Sequence, residues 1–84
     1  MPVLSRFYGI VIRMYLLQKE HNPPHIHAIY GDDVAAIDIQ TGNVIDGALS
    51  PRALALVSEW VGLHRNELLT MWEKQEYVKL PPLE

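Results

Sequence analysis

The chain has 84 residues and no cysteine, which suits one compact domain and excludes a disulfide framework or a thiolate metal site. Ten acidic and seven basic side chains give a net charge of −3, which argues against a broad phosphate-binding surface. The longest apolar runs are far shorter than a membrane span, and no segment is typical of a signal peptide. We therefore expect a single cytoplasmic domain over residues 1–84 that has no membrane partner.

Short runs of β-branched and aromatic residues in the N-terminal half predict strands. The first and second strands are separated by a loop over 18–24, because Pro23 and Pro24 lack the N–H groups that a sheet needs. Glycine-containing turns at 31–33 and 41–43 separate the later strands. The predicted strands, which would form an antiparallel sheet of three to four strands, are 8–17, 25–30, 34–40 and 44–46.

After the fourth strand the hydrophobic period changes to that of a helix. Ser50 and Pro51 are typical of a helix start, and apolar residues then recur at steps of three and four. One helix over 51–77 would be ~40 Å long, whereas a domain of this size has a radius of gyration of only ~12 Å. We therefore predict a break near 62–66, with Asn66 capping a second helix. The alternative is a straight helix whose overhang packs on a second copy of the chain.

These elements predict an α+β fold in which the sheet packs against one or two C-terminal helices. Trp60 and Trp72 lie at helical spacing and are expected in the core or in a subunit interface. His64 lies on the same apolar stripe, so we expect a buried, hydrogen-bonded histidine there.

Three histidines at positions 21, 25 and 27 make this segment the most informative part of the chain. Side chains alternate along a strand, so His25 and His27 would project from one face of the second strand. The two prolines would stiffen the preceding loop, so that His21 and Asn22 would be held over that face.

The hydrophobic pattern also predicts how the second and third strands pair. Pairing Tyr30 with Ala35 puts the isoleucines of both strands on one face. The opposite face would then carry His27 opposite Asp38, with Asp46 from the fourth strand beside them. A slip of one residue would place Asp38 among the isoleucines, and burying its carboxylate there without a partner would be unfavourable.

This polar face has three interpretations. It is a solvated sheet face without chemistry, or a general acid–base site in which a carboxylate orients an imidazole. As a third interpretation, imidazoles and carboxylates bind zinc, iron or manganese, so the face would hold a divalent transition metal. The metal ligands in that case would be His21, His25, His27 and Asp38.

Three of the seven basic residues, Arg6, Arg13 and Lys19, precede every acidic residue of the chain and would form a local anion-binding patch. Arg6 would bind a phosphate or carboxylate bidentately, with Tyr8 stacking or donating beside it. Arg13 would add to this patch. The alternative for Arg6 is an ordinary polar strand entry with Phe7 in the core.

Three segments of the chain together resemble the DUF4160 family (domain of unknown function 4160): 5–12, 21–28 and 59–68. The resemblance covers essentially the whole chain. It implies a small bacterial protein, often encoded beside a second small protein with which it is suggested to form a toxin–antitoxin pair. The family motif positions present here are Arg6, Tyr8, His21, Asn22, His25 and His27.

Our leading hypothesis is that this chain is the toxin of such a pair and acts on RNA, as a ribonuclease-type hydrolase without a cofactor. A base, an acid and a cation at the phosphate are sufficient for that chemistry. The partner would be a cognate small protein. In this hypothesis the catalytic residues are His21, His25, His27, Arg6 and Asp38, and the binding residues are Tyr8, Asn22 and Arg13.

Two alternatives remain open at this point. The first is a metal-binding module, structural or hydrolytic, built on the histidines. The second is a protein-interaction module or antitoxin without catalysis, which the negative net charge would suit better.

Overall fold

The computed structural model describes residues 2–15 and 23–84, and its fold is α+β as predicted. Five strands in the N-terminal part precede one C-terminal helix. Among the residues that the structure describes, no helix is long and apolar enough to span a membrane. The elements are β1 (Val3–Phe7), β2 (Ile10–Arg13), β3 (His25–Tyr30), β4 (Asp33–Asp38), β5 (Val44–Gly47) and α1 (Pro51–Lys74).

The strands form an antiparallel meander in the order β1-β2-β3-β4-β5. The prediction of three to four strands was wrong because β1 (Val3–Phe7) was not predicted, and the first two residues of the predicted strand 8–17 form the turn that joins β1 to β2. Tyr8 and Gly9 both have positive φ (51° and 81°), which suits the tight two-residue turns that join antiparallel strands. Residues 16–17 of that prediction lie outside the described residues. The other predicted strands are present, with ends that differ by up to two residues.

The β3–β4 hairpin closes through a two-residue turn, so its register differs by two residues from the predicted one. Tyr30 pairs with Asp33, and Asp38 therefore pairs with His25 and not with His27. A shift of two residues keeps every side chain on its original face of the sheet. The predicted faces are consequently confirmed although the predicted partners are wrong.

A bulge between β4 and β5 sets the position of Asp46. The register shifts between Ala36 and Ile37, which leaves Asp46 paired with Ala36. Gly47 follows with φ 74°, and a Cβ at this position would clash with the carbonyl oxygen of Val34. Only glycine fits this turn of the backbone.

Helix α1 is one element, so the predicted second helix capped by Asn66 is not formed. The hydroxyl of Ser50 accepts a backbone N–H at the first turn, and Gln75 ends the helix in the left-handed conformation. The predicted break near 62–66 is confirmed as a kink at His64, where the backbone is non-helical (φ −115°, ψ 17°). A straight helix of 24 residues would be ~36 Å long, whereas the longest dimension of the molecule is 30 Å.

The core joins the sheet, the helix and the C-terminal tail around Trp60, which is fully buried. Its ring centroid lies 5.7 Å from that of Phe7, and its indole N–H donates to the carbonyl of Pro81 at 2.9 Å. The tail is without regular secondary structure, and the Leu80 N–H donates to the carbonyl of Leu4 at 2.9 Å. The tail thus covers part of the free edge of β1.

Candidate functional site

Four side-chain positions form a row across the face of the sheet opposite the isoleucine core. Arg13 on β2 pairs with His27 on β3, His27 pairs with Ala36 on β4, and Ala36 pairs with Asp46 on β5. Cross-strand partners have Cβ atoms about 5 Å apart and share a face. We call this face, which carries Arg13, His27, Ala36 and Asp46, the outer face. Its central pair is His27 and Arg13, which are cross-strand neighbours.

His25 lies two residues before His27 on β3, on the same face, and is buried with 4% of its surface exposed. Its Nδ1 lies 2.9 Å from the carbonyl oxygen of Pro23. A carbonyl can only accept, so Nδ1 carries a proton and the tautomer is fixed. The His25 ring packs against His27 (centroids 5.2 Å apart) and against Trp72 (5.0 Å apart).

His27 is half-buried, and its ring lies 4.2 Å from the ring of Tyr15. Burial lowers its pKa, because removal from water disfavours the imidazolium, and the neighbouring His25 lowers the pKa further. The carboxylate of Asp46 opposes both effects without overcoming them. His27 is therefore a neutral imidazole at pH 7, the form that accepts a proton.

Two buried nitrogen atoms in this row have no hydrogen-bond partner among the described residues: Nε of Arg13 and Nδ1 of His27. The guanidinium N–H is always a donor. Nearly all buried polar groups in folded proteins have partners, so such groups need an explanation. An anionic oxygen bound beside Arg13 and His27 would accept hydrogen bonds from these nitrogen atoms. The arrangement can therefore recognise a phosphate or carboxylate.

Asp38 was predicted to lie with the histidines, and it does lie on the strand beside His25. Its Oδ1, however, accepts the backbone N–H groups of Gln40 (2.7 Å) and Thr41 (3.2 Å). This carboxylate thus stabilises the turn after β4. Asp46, which the sequence pattern also placed on this face, is the acid that acts on the charge of His27.

The other predicted site residues do not lie together. Tyr8 is 56% exposed in the β1–β2 turn, away from the row. Arg6 is exposed on β1 and pairs with Val11, which puts it on the outer face but about 12 Å from His27 by the spacing of strands and residues. His21 and Asn22 lie outside the described residues.

The predicted metal site cannot be assembled from the described residues alone. Within the ranges 2–15 and 23–84, no group of three or more His, Cys, Asp or Glu side chains is arranged to hold a metal ion. The fourth histidine, His64, is half-buried on α1 and makes other contacts. Its Nδ1 lies 2.9 Å from the Glu67 carboxylate, and its ring centroid lies 5.1 Å from that of Trp60.

The lowered pKa of His27 predicts that stability depends on pH. Between the folded-state pKa and the usual value of 6.5, the unfolded chain binds more protons than the folded chain. We therefore expect the free energy of unfolding to decrease as the pH falls below 6.5, by at most about 1.4 kcal/mol per pH unit from this one group. Urea denaturation between pH 5 and 8 should show a smaller slope in His27→Gln than in the unchanged protein. Identical slopes would contradict the assignment.

A protein-family model described as a domain of unknown function (DUF4160) matches residues 9–73. The matched range contains the whole row on the outer face, together with both described histidines of β3. Arg6 and the C-terminal tail lie outside it. No curated protein and no solved structure matches the chain at a significant level.

Proposed function

Because this chain belongs to the DUF4160 family, we propose that it is the toxin of a bacterial toxin–antitoxin pair and that it cleaves RNA on its outer face. The family description assigns no activity, so the support comes from the site. The observation that carries the proposal is the cross-strand pairing of His27, a neutral imidazole, with Arg13, since each side chain has a buried nitrogen without a partner among the described residues.

The proposed reaction needs no metal. His27 takes the proton of the ribose 2′-hydroxyl, and the 2′-oxygen attacks the phosphorus. The bond from phosphorus to the 5′-oxygen breaks, which leaves a 2′,3′-cyclic phosphate and a 5′-hydroxyl. Arg13 stabilises the charge that develops on the phosphate oxygens. His25 donates a proton to the leaving oxygen from Nε2 in its imidazolium form, because the neutral ring that donates its Nδ1–H to Pro23 has no proton on Nε2.

The charge distribution is compatible with this substrate even though the net charge is −3. Arg6 and Arg13 lie on the outer face together with Asp38 and Asp46, so the formal charges of these four residues cancel, whereas the whole chain carries −3. RNA affinity should therefore depend strongly on salt concentration.

A second candidate function is a protein-interaction module or antitoxin without catalysis. The observation that favours it is the apolar part of the outer face. Val34 is 47% exposed and pairs with Ile29, which follows His27 by two residues on β3. Exposed apolar side chains beside polar ones are typical of protein-binding surfaces. In that case the histidines would be incidental to function.

Growth measurements on expressing cells test the proposal. We expect expression of the chain alone to arrest growth, and co-expression of the neighbouring gene to relieve the arrest. The double substitution His25→Ala/His27→Ala should also relieve it, whereas His64→Gln, which changes a histidine outside the site, should not. Equal protein levels must be verified by immunoblot.

Several outcomes of the growth experiment, and of a metal analysis of the purified protein, contradict the proposal. Growth arrest that persists in His25→Ala/His27→Ala rules out a catalytic role of these residues. A chain that is harmless alone and rescues cells from a toxic neighbour is the antitoxin. A stoichiometric transition metal in the purified protein that is lost on the double substitution would support the metal-binding alternative, in which His21 completes the site.

A further inference from the structure

Apolar side chains occupy the middle of the outer face. Val11, Ile29 and Val34 are cross-strand neighbours on β2, β3 and β4, and Ala36 follows Val34 by two residues. The opposite face of the sheet packs into the core, whereas Val34 is 47% exposed. The free face of an antiparallel sheet is usually polar, so a row of apolar side chains there indicates a surface that another molecule covers.

Charged side chains divide the outer face into two halves of opposite sign. The basic half carries Arg6 on β1 and Arg13 on β2, and the acidic half carries Asp38 on β4 and Asp46 on β5. Strand β3 lies between the two halves. A surface with this distribution attracts an identical surface turned by half a rotation, because each half then faces the half of opposite charge.

Strand order and register define how two such faces fit together. A two-fold axis parallel to β3, between faces packed about 10 Å apart, places β2 of one copy opposite β4 of the other, and β1 opposite β5. Arg6 then lies opposite the strand that carries Asp46 of the second copy. Val11 lies opposite Val34 of the second copy, and the two Ile29 side chains meet at the axis, because these residues share one row of the sheet.

The unpartnered nitrogen atoms of the outer face are an independent indication of a charged partner. Nε of Arg13 and Nδ1 of His27 are buried and have no hydrogen-bond partner among the described residues. In the two-fold arrangement Arg13 lies opposite Ala36 of the second copy, with Asp46 on the next strand about 5 Å away. Oδ1 of Asp46 accepts the N–H of Gly47 at 3.0 Å, and its Oδ2 can accept the guanidinium N–H.

We propose that the outer face is a homodimer interface, in which two copies pack face to face about a two-fold axis and each basic half contacts the acidic half of the other copy. Five strands about 4.8 Å apart span only about 20 Å. The interface is therefore small, and we expect a dimer that dissociates in the micromolar range.

The dimer covers Arg13 and His27, which has a consequence for catalysis that rests on the proposed function. RNA and the second copy compete for one face, so the dimer is the inactive form of the enzyme and the monomer is the active form. The dimer itself does not depend on the proposed function, because apolar contacts and charge complementarity form it without RNA.

Sedimentation equilibrium of the purified chain tests the interface in the absence of RNA. We expect the unchanged protein to pass from monomer to dimer with rising concentration, and the dissociation constant to increase with salt. Val34→Asp, which puts a carboxylate at the apolar centre of the face, should raise the dissociation constant by about tenfold or more. Leu63→Asp puts the same charge on α1 at a position that is 66% exposed and should leave the constant unchanged.

Two charge variants test how the copies are oriented. Arg6→Glu and Asp46→Arg each bring like charges together at positions 6 and 46 of facing strands, so each should weaken self-association by about tenfold or more. An equimolar mixture of the two variants should associate as tightly as the unchanged protein, because both contacts between positions 6 and 46 then join opposite charges. Circular dichroism verifies that every variant is folded.

Four results would overturn the dimer. One is a chain that stays monomeric at millimolar concentration. Equal effects of Val34→Asp and Leu63→Asp would place the contact elsewhere, and a mixture that associates no better than its components would exclude the two-fold arrangement. A monomer that binds the product of the neighbouring gene, and loses it on Val34→Asp, would assign the outer face to a different protein.

RNA cleavage measured in parallel distinguishes failure of the dimer from failure of the proposed function. The cleavage rate per chain should fall as the concentration exceeds the dissociation constant, and Val34→Asp should make this rate independent of concentration. A constant rate per chain in the dimeric protein would refute the competition. Dimerisation through the outer face in a protein that cleaves no RNA at any concentration would refute the proposed function and leave the interface intact.

Discussion

Replacement of His27 by Gln should reduce RNA cleavage by about 10²–10⁴-fold, the range in which loss of one general acid–base group falls. Gln keeps the size and polarity of the side chain but cannot accept a proton at pH 7. The neutral state of His27 results from its burial and from His25, so the loss should be largest near neutral pH. Single-turnover cleavage of a labelled oligoribonucleotide measures this effect without interference from product release.

The matched control for this prediction is His64→Gln, which makes the same exchange on the helix. His64 contacts Glu67 and Trp60 and lies outside the outer face. Its cleavage rate should stay within about threefold of the unchanged protein, well below the effect of one general acid–base group. Equal rates for His27→Gln and the unchanged protein, with oligonucleotide affinity preserved in both, would refute the role of His27 as the base.

Replacement of Trp60 by Ala should lower the free energy of unfolding by about 3–5 kcal/mol. Trp60 is fully buried, contacts Phe7 and holds the tail through the carbonyl of Pro81. Total stabilities are only about 5–15 kcal/mol, and a domain of 84 residues belongs at the lower end. We therefore expect Trp60→Ala to be largely unfolded at 37 °C, as measured by urea denaturation and circular dichroism.

Two further variants define the origin of that loss. Trp60→Phe keeps an aromatic ring but leaves the Pro81 carbonyl without its donor. It should lower the free energy of unfolding by about 1–3 kcal/mol more than a substitution at an exposed position does. Leu63→Ala removes a large apolar side chain from the same helix at a position that is 66% exposed, so its effect should stay within about 0.5 kcal/mol. A similar loss in Leu63→Ala and Trp60→Ala would mean that the loss does not originate in the burial of the Trp60 side chain, since Ala itself favours the helix.

Much of the fold follows from periodicity, because hydrophobic patterns report which face of an element is buried. Alternation placed Ile26 and Ala28 in the core and His25 and His27 on the opposite face, and the structure confirms both. The turn at Tyr8 and Gly9 was missed because the run from Tyr8 onward is rich in strand-forming residues. A non-glycine residue with positive φ leaves little trace in hydrophobicity.

The candidate site was only partly predictable, because pairing partners depend on loop lengths that hydrophobicity does not encode. A register two residues away satisfies the same pattern, so the partner of Asp38 could not be fixed. The pairing of Arg13 with His27 depends on how the chain passes between β2 and β3, which the sequence does not specify. Tyr15 was missed as a neighbour of His27 for the same reason.

The meander order described above has a kinetic consequence. Each strand hydrogen-bonds to the strand next to it in the chain, so hairpins can form one after another at small loop-closure cost. The contact between Leu80 and Leu4 is the exception, since it joins opposite ends of the polypeptide. During translation the sheet can therefore assemble early, while the Trp60 indole N–H lacks its partner until Pro81 has left the ribosome.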